Sequence, residues 1–405
     1  MDLDLTSLNE WLATFSNFER HPNKNMLNIS TMQKLCDYFN HPEKSYQCFH
    51  VAGSKGKGTI SINIASILDS AGYKVGVYTS PHVLHFTERV SSATGPFSKD
   101  IYDSAEKELK AGIKTIIEKS ILPAKLLTWF ELVTIFAMLC FRKAKVDYAV
   151  FEVGMGGGLD ATNVISPLYI AIGPIELEHT EYLGDTLSKI AAEKAGIFKP
   201  NVPIISAPQD KEVSQVLDHT AKDNSVFISY VPDDDYQLVD ANIARLAIKT
   251  ILPDIPDKLI DSGLAKAHLP ARYEIIQNPP SAYLLIDGAH TINSVKAVLE
   301  RMKKDHIHGN LLFGCAADKN VEGIAKIILD SHLFDKIFLT KPGDFKKSNL
   351  ERIIKAFYPD KNNVEANPDF KYLIKKALDD SSAKNLPLVI LGSFYLAGEV
   401  KAIIA

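Results

Sequence analysis

The chain has 405 residues, 46% of them from the apolar set and 23% charged, which suits two or three globular domains with ample core and excludes a disordered, collagen-like or disulfide-framed protein. Its 45 basic and 49 acidic residues leave a formal charge of −4, so no general basic field draws in nucleic acid and an anionic ligand needs a local site. Cys36, Cys48, Cys140 and Cys315 show no C-x-x-C spacing and frame neither a zinc site nor a disulfide scaffold. Asp2 and Asp4 stand where a signal peptide carries Lys or Arg. The apolar stretch Leu132 to Phe141 is about half of the ~20 residues that cross a bilayer. A soluble cytoplasmic protein is expected.

Apolar runs alternate with helical stripes, the pattern of a parallel sheet with helical crossovers. Strand Cys48–Ala52 leads through a glycine-rich turn into a helix with Ile60, Ile64, Ile67, Leu68 and Ala71 on one face, closed by Gly72. Strand Val75–Thr79 follows, then a long helix from Trp129 to Lys145, strand Tyr148–Val153 and strand Tyr169–Gly173. Further strands are expected at Val202–Ser206 and Val226–Ser229. Between 231 and 270 the pattern is interrupted by Pro232, Asp233, Asp234, Asp235, Pro253, Pro256 and Gly263, with one helix around Ala241–Ile251. The end of this stretch reads as a domain boundary, giving domains 1–266 and 267–405. Beyond it come strand Tyr283–Ile286, a helix from Asn293, and strands Leu311–Gly314, Lys336–Thr340 and Leu388–Leu391.

Gly53-Ser54-Lys55-Gly56-Lys57-Gly58-Thr59 lies between a strand and an amphipathic helix. Glycines let successive N–H groups turn inward and the helix N-terminus adds positive potential, so the turn can cradle phosphates while Lys57 reaches them as a point charge. The glycine spacing is shorter than in the standard P-loop, and Gly58 replaces the hydroxyl residue that usually follows the lysine. A tight turn with solvent-facing lysines is the plainer alternative; the strand–turn–helix context favours nucleotide phosphate.

Ligands of open parallel sheets bind beyond the carboxyl ends of the strands. There the sequence sets Ser80 and His82, Glu152 ahead of Gly154, Gly156, Gly157 and Gly158, and Glu178 with His179. Taken singly, each is an ordinary turn or ion-pair residue; as a convergent set beside a phosphate loop they suit magnesium, which takes oxygen ligands and keeps waters. Lys194 falls in line with Leu187, Ile190, Ala191 and Ile197 on one helix stripe, where an unpaired ammonium is expensive. It can snorkel, pair with a buried carboxylate, or lose its charge by forming a carbamate with carbon dioxide.

Together these stretches resemble the folylpolyglutamate synthase/dihydrofolate synthase branch of the Mur ligase superfamily. The resemblance is carried by HVAGSKGKGT (50–59), GYKVGVYTSPHVLHFTERV (72–90), LTWFELVT (127–134), EVGMGGGLDATNV (152–164) and LEHTEYLGDTLSKIAAEKAGIFKP (177–200). LPAR (269–272), IDGAH (286–290), ADKN (317–320) and GSFYLAGEV (392–400) follow in the family's order. The resemblance implies a two-domain α/β architecture, with a larger P-loop-type parallel-sheet domain and a smaller Rossmann-like C-terminal domain. The implied reaction is ATP-driven ligation of L-glutamate to dihydropteroate, to the glutamate tail of reduced folates, or to both, through an acyl phosphate.

By position, the resemblance assigns the phosphates to Gly53, Ser54, Lys55, Gly56, Lys57, Gly58 and Thr59, and Mg2+ to Ser80, Glu152 and His179. It makes Lys194 a candidate carbamylated lysine, gives nucleotide contacts to Asn242, Arg272 and Asp287, and puts His290 with Lys57 and Lys194 at the reacting centre. The implied partners are small molecules, with no nucleic acid, no membrane and a monomeric chain. Four departures stand out: Gly158 in place of arginine, Glu178 in place of aspartate, Thr291 in place of asparagine, and Leu238 and Val239 in place of a His-Gln pair. They keep a second reading in view, a non-catalytic or altered-specificity nucleotide-binding member of the superfamily. A cell-wall precursor ligase fits less well, because only ~50 residues precede Gly53, too few for a separate nucleotide-sugar domain. An ordinary P-loop kinase needs no second domain of this kind.

Overall fold

The computed structural model describes residues 3, 5–17, 28–232, 238–277, 283–358 and 363–404. Asp2, Asp4 and the run Asp233, Asp234 and Asp235 lie outside the described residues. The chain divides into two compact units, residues 1–268 and 269–405.

The first unit holds strands β1 (Gln47–Ala52), β2 (Val75–Tyr78), β3 (Val90–Ser92), β4 (Tyr148–Glu152), β5 (Tyr169–Ile172), β6 (Ile204–Ser206) and β7 (Ile228–Tyr230). They form one sheet in the order β3-β2-β4-β1-β5-β6-β7. All neighbours are parallel except β2 and β3, so the expected parallel sheet gains one antiparallel edge strand. Strands β2, β4 and β5 are buried along their whole length, because helices cover both faces, and they therefore read as continuous apolar runs. Strand β1 lies between β4 and β5 although its crossover leads to β2, beyond β4. The connection from β4 runs the other way, past β1 to β5, so the winding direction changes beside β1 and opens a crevice at the carboxyl ends of these strands.

The helices of this unit are α1 (Thr6–Leu12), α2 (Ile29–Tyr38), α3 (Lys57–Ser70), α4 (Lys99–Glu118), α5 (Trp129–Ala144), α6 (Thr180–Leu183), α7 (Leu187–Ala195), α8 (Lys211–Asp223), α9 (Val239–Ile251) and α10 (Asp257–Lys266). Helix α3 buries Ile60, Ile64, Ile67 and Leu68 completely and is flanked by α9 and α10. Gly263, expected as an interruption, lies within α10, and a Cβ there would be 2.5 Å from Ile67 Cα. Its missing side chain is what lets the two helix backbones meet. The strand expected from Val202 starts at Ile204, just past Pro203, whose ring nitrogen has no hydrogen to donate to a ladder. The strand expected from Val226 is displaced to the edge position Ile228–Tyr230.

The second unit carries β8 (Glu274–Ile276), β9 (Leu284–Ile286), β10 (Gly309–Phe313), β11 (Phe334–Leu339), β12 (Val364–Ala366) and β13 (Leu388–Leu391), in the order β12-β11-β10-β13-β9-β8. Only the β8–β9 pair of this sheet is antiparallel. Helices α11 (Ile292–Lys304), α12 (Val321–Ser331), α13 (Leu350–Phe357), α14 (Phe370–Lys384) and α15 (Phe394–Ile404) complete it. Leu285, Leu311, Phe313, Ile324, Leu339, Phe357 and Val389 form its own buried core. No helix of the described residues is long and apolar enough to cross a membrane.

Candidate active site

The glycine-rich turn leaves β1 where β4 and β5 flank it. Ser54 and Lys55 donate their N–H groups to Pro174 O at 2.8 and 3.1 Å, and Ser54 Oγ bonds both Glu176 O and Glu176 N at 3.0 Å. These bonds tie the turn to the segment after β5. The backbones come so close that a Cβ on Gly53 would be 2.9 Å from Gly173 Cα. Gly56 then caps α3 in the left-handed region with no side chain to offer, and the first intrahelical bond runs from Ile60 N to Gly56 O. The N–H groups of residues 57–59 therefore precede any intrahelical acceptor, the arrangement that binds anions at helix N-termini.

Two ammonium groups converge on this turn. Lys57 Nζ and Lys194 Nζ both donate to Gly53 O, at 3.0 and 2.9 Å. Lys194 also pairs with Glu178 Oε1 at 2.7 Å, its side chain only 2% exposed. Of the three outcomes open from sequence, the unmodified chain comes nearest the second, pairing with a carboxylate that is itself largely buried. Burial pulls the Lys194 ammonium below its ordinary pKa against the pull of Glu178. Glu178, which burial alone would push up, is held below the usual carboxylate range by Lys194 and Lys57. The α7 stripe itself is as expected, Ile190, Ala191 and Lys194 being buried, except that the helix ends at Ala195 and Ile197 is buried beyond it.

Ser80 and Glu152 meet: Ser80 N donates to Glu152 Oε2 at 2.9 Å, and Glu152 is buried at the end of β4. His179 occupies an exposed, left-handed position (φ 46°) that begins α6, directly after Glu178. No group of three or more His, Cys, Asp and Glu side chains among the described residues is arranged to hold a metal ion. Ser80 and Glu152 offer oxygen donors of the kind Mg2+ takes, with phosphate oxygens and water left to complete its shell, whereas the imidazole of His179 is a donor that softer metals prefer. His82 is engaged elsewhere: its Nδ1 accepts from Arg89 Nε at 2.7 Å, and burial with the adjacent Arg89 charge lowers its pKa to about 3.

The loop after β4 is held by Asp160. Its Oδ2 accepts from Gly154 N and Met155 N at 3.1 and 3.0 Å, and its Oδ1 from Thr162 N and Thr162 Oγ1 at 2.9 and 2.5 Å. At Gly158 a Cβ would make only an ordinary 3.5 Å contact with Gly196, so packing does not force the glycine there. Asn242 is half-buried on α9. A neighbour on that helix escaped the sequence reading: the Asp240 carboxylate lies 2.3 Å from where a Cβ on Gly56 would be. An acidic residue on a first helical turn carries no signal that it faces a phosphate loop.

In the second unit, Asp287 accepts from Tyr273 N and Ala289 N, each at 2.7 Å. Burial raises its carboxyl, opposed by Arg272 and by these donors. Arg272, exposed between two left-handed residues, Ala271 and Tyr273, lays its guanidinium 4.2 Å from the Phe394 ring centroid. The His290 ring lies 5.9 Å from the same ring. Its Nδ1 contacts Gly288 O at 2.7 Å; a carbonyl only accepts, so Nδ1 carries a proton. Arg272, Asp287 and His290 thus gather around Phe394 at the carboxyl ends of β9 and β13. Thr291 is the N-cap of α11, accepting from Ser294 N.

Residues 51–252 match the Mur ligase middle domain and residues 271–394 the glutamate ligase domain of Mur ligases. The dihydrofolate synthase/folylpolyglutamate synthase of Bacillus subtilis is 29% identical over 92% of this chain and 94% of its own length. That of Escherichia coli is 30% identical over 68% of each chain. Among solved structures, E. coli FolC in complex with DHPP and ADP superposes with a TM-score of 0.82 at 25% identity, covering 98% of this chain and 97% of that one. The two Mur ligase domain matches follow one another along the chain, and it belongs to the Mur ligase family, in the dihydrofolate synthase/folylpolyglutamate synthase branch.

Proposed function

We propose that this protein is an ATP-dependent ligase that joins L-glutamate to dihydropteroate, to the glutamate tail of reduced folates, or to both. The observation that carries the reading is the convergence of Lys57 and Lys194 on one carbonyl of a phosphate-type turn. Two ammonium groups held that close concentrate positive potential, and Glu178 offsets only part of it; the triphosphate of ATP supplies the remaining negative charge.

A carboxylate is a poor acylating group, so one of its oxygens must first become a leaving group. The acceptor carboxylate oxygen attacks the γ-phosphorus and ADP departs, leaving an acyl phosphate. The glutamate amine then attacks the carbonyl carbon and loses a proton, and phosphate leaves from the tetrahedral adduct. Positioning and charge neutralisation supply most of the acceleration in such transfers. Lys57 and the N–H groups opening α3 are placed to hold the phosphates; the resemblance assigns nucleotide contacts to Asn242, Arg272 and Asp287 and the reacting centre to His290. Ser80, Glu152 and His179 would hold Mg2+, which neutralises charge on the transferring phosphoryl group. Lys194 acts beside them, as the ammonium paired with Glu178 or as a carbamate formed when its neutral amine adds to carbon dioxide and releases a proton.

The test is phosphate release from ATP by the purified protein, with product masses recorded for a panel of pterin acceptors. Release that requires both acceptor and L-glutamate, with a mass gain of one glutamyl unit, is expected. ATP binding without turnover on any acceptor would replace ligation with the non-catalytic reading.

A further inference from the structure

His50, on β1 just ahead of the phosphate turn, is fully buried. Its Nε2 lies 2.8 Å from Thr162 Oγ1. The Thr162 hydroxyl hydrogen is already given to Asp160 Oδ1, so His50 must be the donor and its proton sits on Nε2. Nδ1 is left as a buried lone pair without a hydrogen-bond partner. Burial, helped by Lys199, lowers the imidazole's pKa to about 3, so the ring is neutral at physiological pH.

The hydrogen bonds run in one direction: from His50 to Thr162, from Thr162 to Asp160, with the other Asp160 oxygen gripping Gly154 N and Met155 N. They start on the strand that delivers the phosphate turn and end on the loop that follows Glu152. We propose that His50 is a positioning residue that, through Thr162 and Asp160, sets the 154–158 loop against the phosphate turn and so fixes the place of the acceptor acid. A packing role explains the observations poorly, since an apolar side chain would fill the site without leaving Nδ1 unsatisfied. The inference rests on the ligase reading for the identity of the acceptor, whereas the hydrogen-bond chain itself does not.

Two measurements test it. Nitrogen-15 correlation spectra of the His50 ring in the intact protein should show a protonated Nε2 and a bare Nδ1, unchanged from about pH 5 to 8. A ring that titrates near the ordinary histidine range, or carries its proton on Nδ1, overturns the proposal even if ligation is confirmed. In kinetics, His50→Leu is expected to match or exceed the wild-type melting temperature. It should raise the acceptor KM about ten- to a hundred-fold while leaving the ATP KM within about two-fold. His50→Gln, which keeps a donor, should recover much of the loss. Should His50→Leu fail to fold, Thr162→Val against Thr162→Ser makes the same comparison. Unchanged acceptor KM, or a parallel rise in both KM values, refutes the positioning role. A wild-type protein that ligates nothing refutes the ligase reading alone, since the spectra still decide the hydrogen-bond chain.

Discussion

Gly56 carries a positive φ of 74°, and the Asp240 carboxylate occupies the space where its Cβ would go. Gly56→Ala therefore combines backbone strain with a steric and electrostatic collision at the entrance of α3. It should lower nucleotide affinity at least about ten-fold, measured by calorimetric titration. Adding Asp240→Ala should recover the steric share but not the strain, so the double mutant should bind more tightly than Gly56→Ala and less tightly than wild type. Lys194 poses a different question. Its neutral amine is favoured by burial and opposed by Glu178, so Glu178→Gln should raise the neutral fraction and with it any carbamate. With carbon-13-labelled bicarbonate, a carbamate resonance should grow as pH rises and be stronger in Glu178→Gln. It should be absent in Lys194→Arg; silence in all three proteins would leave Lys194 as an ammonium. The anomaly of Lys194 was legible because a charge on an apolar stripe breaks a local rule. Its partner was not, because Glu178 comes from a turn that no periodicity describes.

Helix α5 begins at a reciprocal cap: Thr128 Oγ1 accepts from Glu131 N, while Glu131 Oε2 accepts from Thr128 N at 2.9 Å. Glu131 is buried, and desolvation pushes its carboxyl up to about 7 despite these bonds. A raised acid pKa means the native state holds a proton that the unfolded chain has released between about pH 4.5 and 7. Stability from this group therefore falls as pH rises through that window, by at most ~3 kcal/mol. Glu131→Gln keeps an acceptor for Thr128 without a charge to bury. It should match wild type near pH 4.5 and be the more stable protein at pH 8, by denaturant unfolding. On α10, Gly263→Ala would press a methyl group into the α3 backbone and should cost ~1–3 kcal/mol. The elements found from sequence were those with continuous apolar runs, such as β4 and β13. Gly263 misled because a glycine that permits close packing and one that ends a helix look alike in a sequence. Helix α4 is the opposite case: Tyr102, Ala105, Leu109, Ile113 and Ile116 form a legible buried stripe, yet no strand signal adjoins it to mark it as a crossover.

At the scale of the whole molecule, each unit closes its own sheet and buries its own apolar residues. That two α/β units follow one another was readable from the restart of strand signals after residue 270; the antiparallel edge strands β3 and β8 were not, because three-residue strands carry too little periodicity to register. Strand β8 matters for what the second unit can do alone. It pairs with β9 inside that unit, and its buried Glu274 takes Lys401 of α15 at 2.6 Å, so the N-terminal edge of the second sheet is closed by a strand and an ion pair both encoded after residue 268. With a core and a closed edge supplied locally, residues 269–405 should fold as an isolated fragment and unfold cooperatively in urea. Glu274 is buried and Lys401 nearly so, so Lys401→Ala in the fragment removes the counter-charge of a buried carboxylate and should shift the urea midpoint down, while Glu274→Gln with Lys401→Met should shift it less. A fragment with no cooperative transition would mean that the second unit depends on the first for its core.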